Sequence, residues 1–276
     1  MLISIFFRIF DVLLNTKTKL KMLPVLQDLH YLKNYLTNNL EYNEYQEQEE
    51  IPVPYRWSHG ATDTHLGDGL IIYSLIQYMR AKVCVCLGSG GGFVPRLMTQ
   101  ARYDLYRQGI FEGDANLNWG DIGVTYVVDA MNGIGGKVDW FKEESFFRRT
   151  FHPRILSTTT EQAFHNHFVL NDVKIDYLHI DAGHSYENVK EDFELYSQLL
   201  SPNGIISIHD TDPNFADNYL ITNEVKDRGD HDDWNGPIQF VKELKENPKW
   251  ETFDLFNFGI VKNKPSSTGL TLVRRK

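Results

Sequence analysis

The chain has 276 residues, 42% hydrophobic and 24% charged, which suits one large domain with a substantial core and excludes a largely disordered protein. Its 28 lysines and arginines stand against 37 aspartates and glutamates, a net charge of −9, so nucleic-acid binding that relies on overall positive charge is excluded. Two cysteines, Cys84 and Cys86, are too few for a disulfide framework and point to a reducing, cytoplasmic setting.

The N-terminal stretch MLISIFFRIFDVLLN is apolar but broken by Arg8 and Asp11. It is shorter than the roughly twenty apolar residues a spanning helix needs. No basic residue precedes it and no small-residue cleavage site follows, so no signal peptide is expected. Ser4, Arg8, Asp11 and Asn15 form one narrow polar stripe on an otherwise apolar helix. Such a helix seeks burial on its own domain, in a subunit contact that would make a homo-oligomer, or on a membrane surface, in that order. Residues 1–60 read as a helical extension without a chemical motif. The acidic run EYNEYQEQEE (41–50) reads as a solvated face or linker, ended by Ile51-Pro52-Val53-Pro54. A helix is predicted from Asp68 to Arg80, with Leu70, Ile71, Leu75, Ile76 and Met79 as its apolar positions.

From residue 82 the pattern changes. KVCVCLG is a short buried strand, in which the two cysteines are inert apolar residues. The apolar runs VTYVVD (124–129), RILSTT (154–159), IDYLHID (175–181) and GIISIHD (204–210) follow. Between the last two, Val189, Phe193, Tyr196 and Leu200 recur at helical spacing. Strands alternating with helices predict a doubly wound, mostly parallel α/β sheet with helices on both faces. The tail segments WETFDLFNFGIV and TGLTLVRRK, around Asn263-Lys264-Pro265, predict an antiparallel hairpin at the sheet's edge.

The first strand runs into Gly88-Ser89-Gly90-Gly91-Gly92. Glycines there allow close backbone approach to a ligand. A Walker-type phosphate loop requires Gly-Lys-Ser/Thr, which is lacking, and the dinucleotide pattern G-x-G-x-x-G fails because position 93 is Phe. Gly88-x-Gly90-x-Gly92 is the spacing typical of S-adenosylmethionine binding. Asp129, ending the next strand, can accept both ribose hydroxyl protons, or it can cap the following turn. FEGDANLNWGDIG (111–123) reads as an insertion that lengthens the interval between the two.

Asp181 and Asp210 end consecutive strands and should face one crevice, with His184 just beyond the first and His209 immediately before the second. Unpaired charge at buried strand ends costs several kcal/mol. A divalent cation would satisfy the carboxylates, and a substrate hydroxyl with its general base would explain a histidine. The bland alternative is that the aspartates are caps and His209 is a satisfied strand histidine. The acidic cluster DRGDHDD (227–233) reads as solvated loop.

LGSGGG, VVDA, HIDAGHSYENVKEDFELY, LSPNGIISIHDT and GLTLVRRK together resemble the class I S-adenosylmethionine-dependent methyltransferases. The segment D-x-x-H-x-Y-x-x-V-x-x-D is similar to one in small-molecule O-methyltransferases akin to macrolide-sugar O-methyltransferases and cephalosporin-hydroxylase-like proteins. The likeness covers roughly residues 60–276. It implies a methyltransferase domain over 61–276, with a seven-stranded sheet whose last strand is antiparallel. It also implies a cofactor pocket at Gly88, Gly90, Gly92 and Asp129, and O-methylation of a small polyhydroxylated molecule such as a sugar. Metal-dependent relatives hold magnesium through an acidic residue after the fourth strand and an acidic pair after the fifth. Asp181 and Asp210 match, while His209 replaces the first member of the pair. The expected metal set is therefore Asp181, Asp210 and His209, and the expected catalytic set His209, His184 and Asp181. Cys86 stands where the family usually has an acidic residue. Two other readings keep the fold: a metal-dependent oxygenase, and a non-catalytic nucleotide-binding subunit.

Overall fold

The computed structural model describes residues 59–60, 66–90, 92–111, 123–131, 148, 152–213, 235–256, 260–261, 264–265 and 267–276. The N-terminal helix, the acidic runs at 41–50 and 227–233 and most of the 111–123 segment lie outside these residues, and with them the expected extension and its subunit contact.

Helix α1 (Asp68–Met79) leads into β1 (Val83–Leu87), α2 (Phe93–Phe111), β2 (Val124–Val128) and β3 (Arg154–Leu156). A short helix α3 (Thr160–Ala163) continues as a π-helical turn over Phe164–Val169. Then come β4 (Ile175–Ile180), α4 (Tyr186–Tyr196), β5 (Leu200–His209), α5 (Gly236–Glu246) and β6 (Trp250–Leu255). A two-residue ribbon, β7 (Ile260–Val261) with β8 (Lys264–Pro265), precedes the last strand, β9 (Leu270–Arg275).

Seven strands form one sheet in the order β3-β2-β1-β4-β5-β9-β6. All neighbours pair in parallel except β9, which is antiparallel to both β5 and β6. This is the doubly wound, seven-stranded fold expected, with its antiparallel last strand. The tail hairpin forms through β6 and β9. However, β9 enters between β5 and β6, so only β6 lies at the edge. The Asn263-Lys264-Pro265 region belongs to the small separate ribbon.

Alternation along each strand divides the core between the two faces. In β1, Val85 and Leu87 join Phe168, Val189, Phe193, Tyr196, Phe240 and Leu244 from the α3, α4 and α5 layer. Cys84 and Cys86 face the other way, with Ile72, Ile76, Phe93, Leu97 and Met98 of α1 and α2. Both thiols are free and fully buried, and burial pushes the Cys84 thiol up to about 12. They are packing residues without thiolate character at neutral pH. Helix α1 stops at Met79 because Arg80 adopts a left-handed cap (φ 53°) whose N–H bonds back to Gln77 O at 3.2 Å. No described helix is long and apolar enough to cross a membrane.

The parallel strands β1, β2, β4 and β5 deliver their carboxyl ends to one edge of the sheet. That edge is where an open α/β fold receives ligands, and Gly88, Gly90, Gly92, Asp129, Asp181, His184, His209 and Asp210 lie there.

Candidate functional site

One half of the edge is the glycine turn after β1. Gly88, Gly90 and Gly92 all have positive φ (77°, 48° and 85°), and α2 starts directly after the turn. At Gly88 the need for glycine has a local cause. A Cβ there would lie 2.0 Å from the Asp181 carbonyl oxygen, so it is the start of the next loop, rather than a ligand, that presses on this position. Asp129 both braces the turn and caps. Its Oδ2 accepts from Ser89 N at 3.0 Å and from the Ser89 hydroxyl, and its Oδ1 accepts from Met131 N at 2.8 Å. Asp129 thus caps the turn that follows β2 and also sits against the glycine loop. Cys86, at the position usually acidic in the family, donates its thiol to Gly88 O at 3.0 Å.

The other half is built from the ends of β4 and β5. Their register sets His179 opposite Ser207 and Ile180 opposite Ile208, so Asp181 and Asp210 emerge side by side. Asp210 has a left-handed backbone (φ 58°), uncommon for a non-glycine residue. Neither aspartate caps α4, because Ser185 does, accepting from Asn188 N at 3.1 Å.

Four imidazoles surround Asp181. His209 Nδ1 lies 3.3 Å and His184 Nε2 3.7 Å from its Oδ1, while His179 Nε2 and His59 Nε2 each lie 3.9 Å from its Oδ2. His184 Nε2 is 2.8 Å from Asp210 Oδ2, and His209 Nδ1 is 3.2 Å from Asp210 Oδ1. The His209 side chain is only 1% exposed, whereas that of His184 is 27% exposed. His209 Nε2 is also engaged, 3.0 Å from the Thr268 hydroxyl. His209 is therefore placed to orient the two carboxylates from behind, and His184 is the imidazole that opens to the crevice.

Electrostatics follow from this geometry. Burial opposes charge on every group here. Against burial, His209 and the hydrogen-bonding imidazoles hold the Asp181 and Asp210 carboxyls well below the usual carboxylate range. Burial likewise opposes a charged His209, but Asp210 and Asp181 outweigh it and raise its pKa well above the ordinary histidine value. His184 is raised by the same balance, with its Asp210 hydrogen bond the largest favourable contribution. His59 and His179 are lowered, chiefly by burial.

The donor chemistry fits a divalent cation. Asp181, His184 and Asp210 each offer a ligand atom, all within 4.8 Å of one another. His209, expected from the resemblance as the third ligand, is not in that group; its nitrogens face the carboxylates and Thr268. A second such group, His59, Asp68 and His209, is fully buried.

None of His59, His179 and Asp68 is a candidate site residue from the sequence, where Asp68 figures only as a helix start. His179 could have been found: it lies two residues before Asp181, and period-two alternation puts it on the same side of β4. His59 lies outside every motif, and only folding stacks it on His209, with ring centroids 4.0 Å apart.

Residues 87–211 match a family model described as "Methyltransferase domain". That segment, less than half of the chain, runs from the end of β1 through β5 and carries both halves of the site. Over 145 residues it is 28% identical to y4gI of Sinorhizobium fredii, described as an uncharacterized protein; the match takes in 50% of this chain but only 14% of that relative's length. Solved structures of similar fold include a provisionally designated caffeoyl-CoA O-methyltransferase from Staphylococcus aureus. It has a TM-score of 0.57 and 18% identity, over 92% of this chain and 98% of that one. TomG of Streptomyces achromogenes, an O-methyltransferase involved in tomaymycin synthesis and solved with S-adenosylmethionine, also scores 0.57, at 12% identity over 90% and 95% of the chains. An O-methyltransferase from Bacillus cereus in complex with S-adenosylhomocysteine scores 0.53, at 15% identity over 84% and 96%. At these identities the likeness establishes the fold.

Proposed function

We propose that this protein is an S-adenosylmethionine-dependent O-methyltransferase acting on a small polyhydroxylated molecule, such as a sugar or natural product. One observation carries the reading: the glycine turn with Asp129 and the Asp181–His184–Asp210 group flank the same crevice, on either side of the β1 end. The cofactor's methionine end would lie along Gly88–Gly92 with its ribose hydroxyls on Asp129, where a carboxylate already faces the loop. The acceptor would lie against Asp181, His184 and Asp210, whose oxygens and imidazole suit hydroxyl groups rather than an apolar ring.

The reaction is an in-line displacement. The acceptor oxygen attacks the methyl carbon, the carbon–sulfur bond breaks with its electron pair going to sulfur, and the acceptor proton passes to His184 or Asp181, giving a methyl ether and S-adenosylhomocysteine. The chain's work is to align the nucleophile and draw off its proton. Asp181 and Asp210 stay ionised at neutral pH and accept hydroxyl hydrogen bonds. His209, buried behind them, fixes their orientation. A divalent cation would be held by Asp181, His184 and Asp210 and would polarise the acceptor oxygen. The oxygenase and non-catalytic readings have no support in the comparisons. Self-association through residues 1–20 and a cytoplasmic location belong to the same proposal, supported by the apolar N-terminal sequence and the two free thiols; light scattering of a chain lacking residues 1–20 tests the former.

Calorimetry tests the cofactor assignment. S-adenosylmethionine and S-adenosylhomocysteine should bind, and Asp129→Ala should weaken both strongly. Tight NAD binding with no response to S-adenosylmethionine would overturn the reading.

A further inference from the structure

We infer that the acceptor side of this crevice is a nitrogen–oxygen site for a first-row transition-metal ion, with His184 a ligand beside Asp181 and Asp210, rather than an all-oxygen magnesium site. This inference rests on the reading that these residues face the acceptor.

Spacing is the first argument. His184 Nε2 lies 2.8 Å from Asp210 Oδ2 and 3.7 Å from Asp181 Oδ1. Ligands held about 2.1 Å from one ion stand roughly 3 Å apart at adjacent positions. The three side chains are thus spaced as ligands before any ion arrives.

The second argument is independent of that spacing. Three buried polar atoms around this site lack a hydrogen-bond partner: Asp210 Oδ1, His179 Nε2 and His59 Nδ1. The Asp210 atom has His209 Nδ1 at 3.2 Å, but without hydrogen-bond alignment. His179 is fully buried, its Nδ1 is held at 2.8 Å by the Ser207 hydroxyl, and its Nε2 is directed at Asp181 Oδ2 from 3.9 Å. Buried polar groups are ordinarily satisfied, and an imidazole fixed through one nitrogen with the other facing a carboxylate cluster is a common arrangement around metals.

The third argument is donor type. Magnesium prefers oxygen and water in near-ideal octahedra. An imidazole in the ligand set favours the series from manganese to zinc. His209 adds no oxygen donor to the set, since it is an imidazole with both nitrogens turned to other partners.

The test is a titration of the full chain, stripped with chelator, using CoCl2, MnCl2 and MgCl2 separately. Calorimetry gives affinity, and the visible absorption of cobalt reports nitrogen ligation. One cobalt per chain should bind at least about 100-fold more tightly than magnesium. His184→Ala and His184→Gln should each weaken cobalt roughly 10-fold or more and shift its spectrum, with magnesium changed little. Asp210→Asn should weaken all three ions. Thermal melting of each variant separates ligand loss from misfolding. Equal affinity for cobalt and magnesium, no stoichiometric binding, or a cobalt spectrum indifferent to His184 would overturn the inference. S-adenosylmethionine calorimetry on the same preparations is unaffected by any of these outcomes, so failure here is distinguishable from failure of the methyltransferase reading.

Discussion

At the scale of single residues, the crevice concentrates groups whose charge depends on their neighbours. His184 allows a prediction in which stability and activity run in opposite directions. Its folded pKa is raised by Asp210 and Asp181. Its contribution to stability is therefore complete below the ordinary histidine value near 6.5 and is lost as pH rises through the folded value. The neutral imidazole is the form that can take a proton or bind an ion, so kcat/KM should climb over that same range. His184→Gln should remove the climb and flatten the urea midpoint across it. Asp192, far from the crevice on α4, provides a control of opposite origin. Burial, offset in part by a hydrogen bond with Thr160, raises its carboxyl to about 7. The folded state then holds a proton that the unfolded chain has released, and stability falls as pH rises from about 4 to about 7. Asp192→Asn should therefore stabilise the protein, by about 2 kcal/mol more at pH 8 than at pH 5, as read from denaturant midpoints. Gly88→Ala should cost several kcal/mol, on the order of 2–4, since its Cβ would lie 2.0 Å from the Asp181 carbonyl oxygen at φ 77°. Urea unfolding measures it, and Asp181 would be displaced in whatever folds.

At the scale of elements, α4 and α5 hold the His184 turn between them. Ser185 caps α4, so Ser185→Ala should cost about 1 kcal/mol. Gly236, the first residue of α5, meets the same turn from outside. A Cβ there would fall 2.2 Å from His184 O and 2.3 Å from Tyr186 N. Gly236→Ala should therefore lower methyl transfer more than it lowers S-adenosylmethionine affinity, measured by initial rates and calorimetry, because it shifts the acceptor half of the crevice and leaves the glycine turn in place. Most elements were legible before folding was considered. KVCVCLG, VTYVVD and IDYLHID are dense in apolar and β-branched residues and bounded by breakers, which suits strands buried on both faces. The long α2 is not legible as one amphipathic helix, because polar side chains such as Arg96, Gln100, Arg102 and Asp104 are buried along it and blur its apolar face. The π-turn over Phe164–Val169 left no sequence signal, since a widened turn is chosen by how Phe164 and Phe168 pack on Tyr196.

At the scale of the whole molecule, the crevice is assembled from segments far apart in sequence, and a ligand joining its two halves should stabilise the entire fold. S-adenosylhomocysteine at about 100 times its dissociation constant should add about 2.7 kcal/mol to unfolding free energy. Asp129→Ala should abolish most of that increment at the same ligand concentration. Thermal denaturation with and without ligand measures it, and NAD should have no effect.

The sequence by itself determined which strands form, that they wind into a mostly parallel sheet, and which carboxylates and glycines end them, because hydrophobic periodicity and breakers act over a few residues. Only the tertiary structure decided what those ends do. It showed that Gly88 is a glycine because Asp181's backbone crosses it, that His209 is buried behind the aspartates while His184 opens to the crevice, and that His59 and His179 complete the ring around Asp181. These are properties of packing between the ends of β1, β4 and β5 and the chain before α1. Distance, burial and the direction of an imidazole nitrogen depend on which segments meet in space, and no local pattern in any one of those segments specifies them.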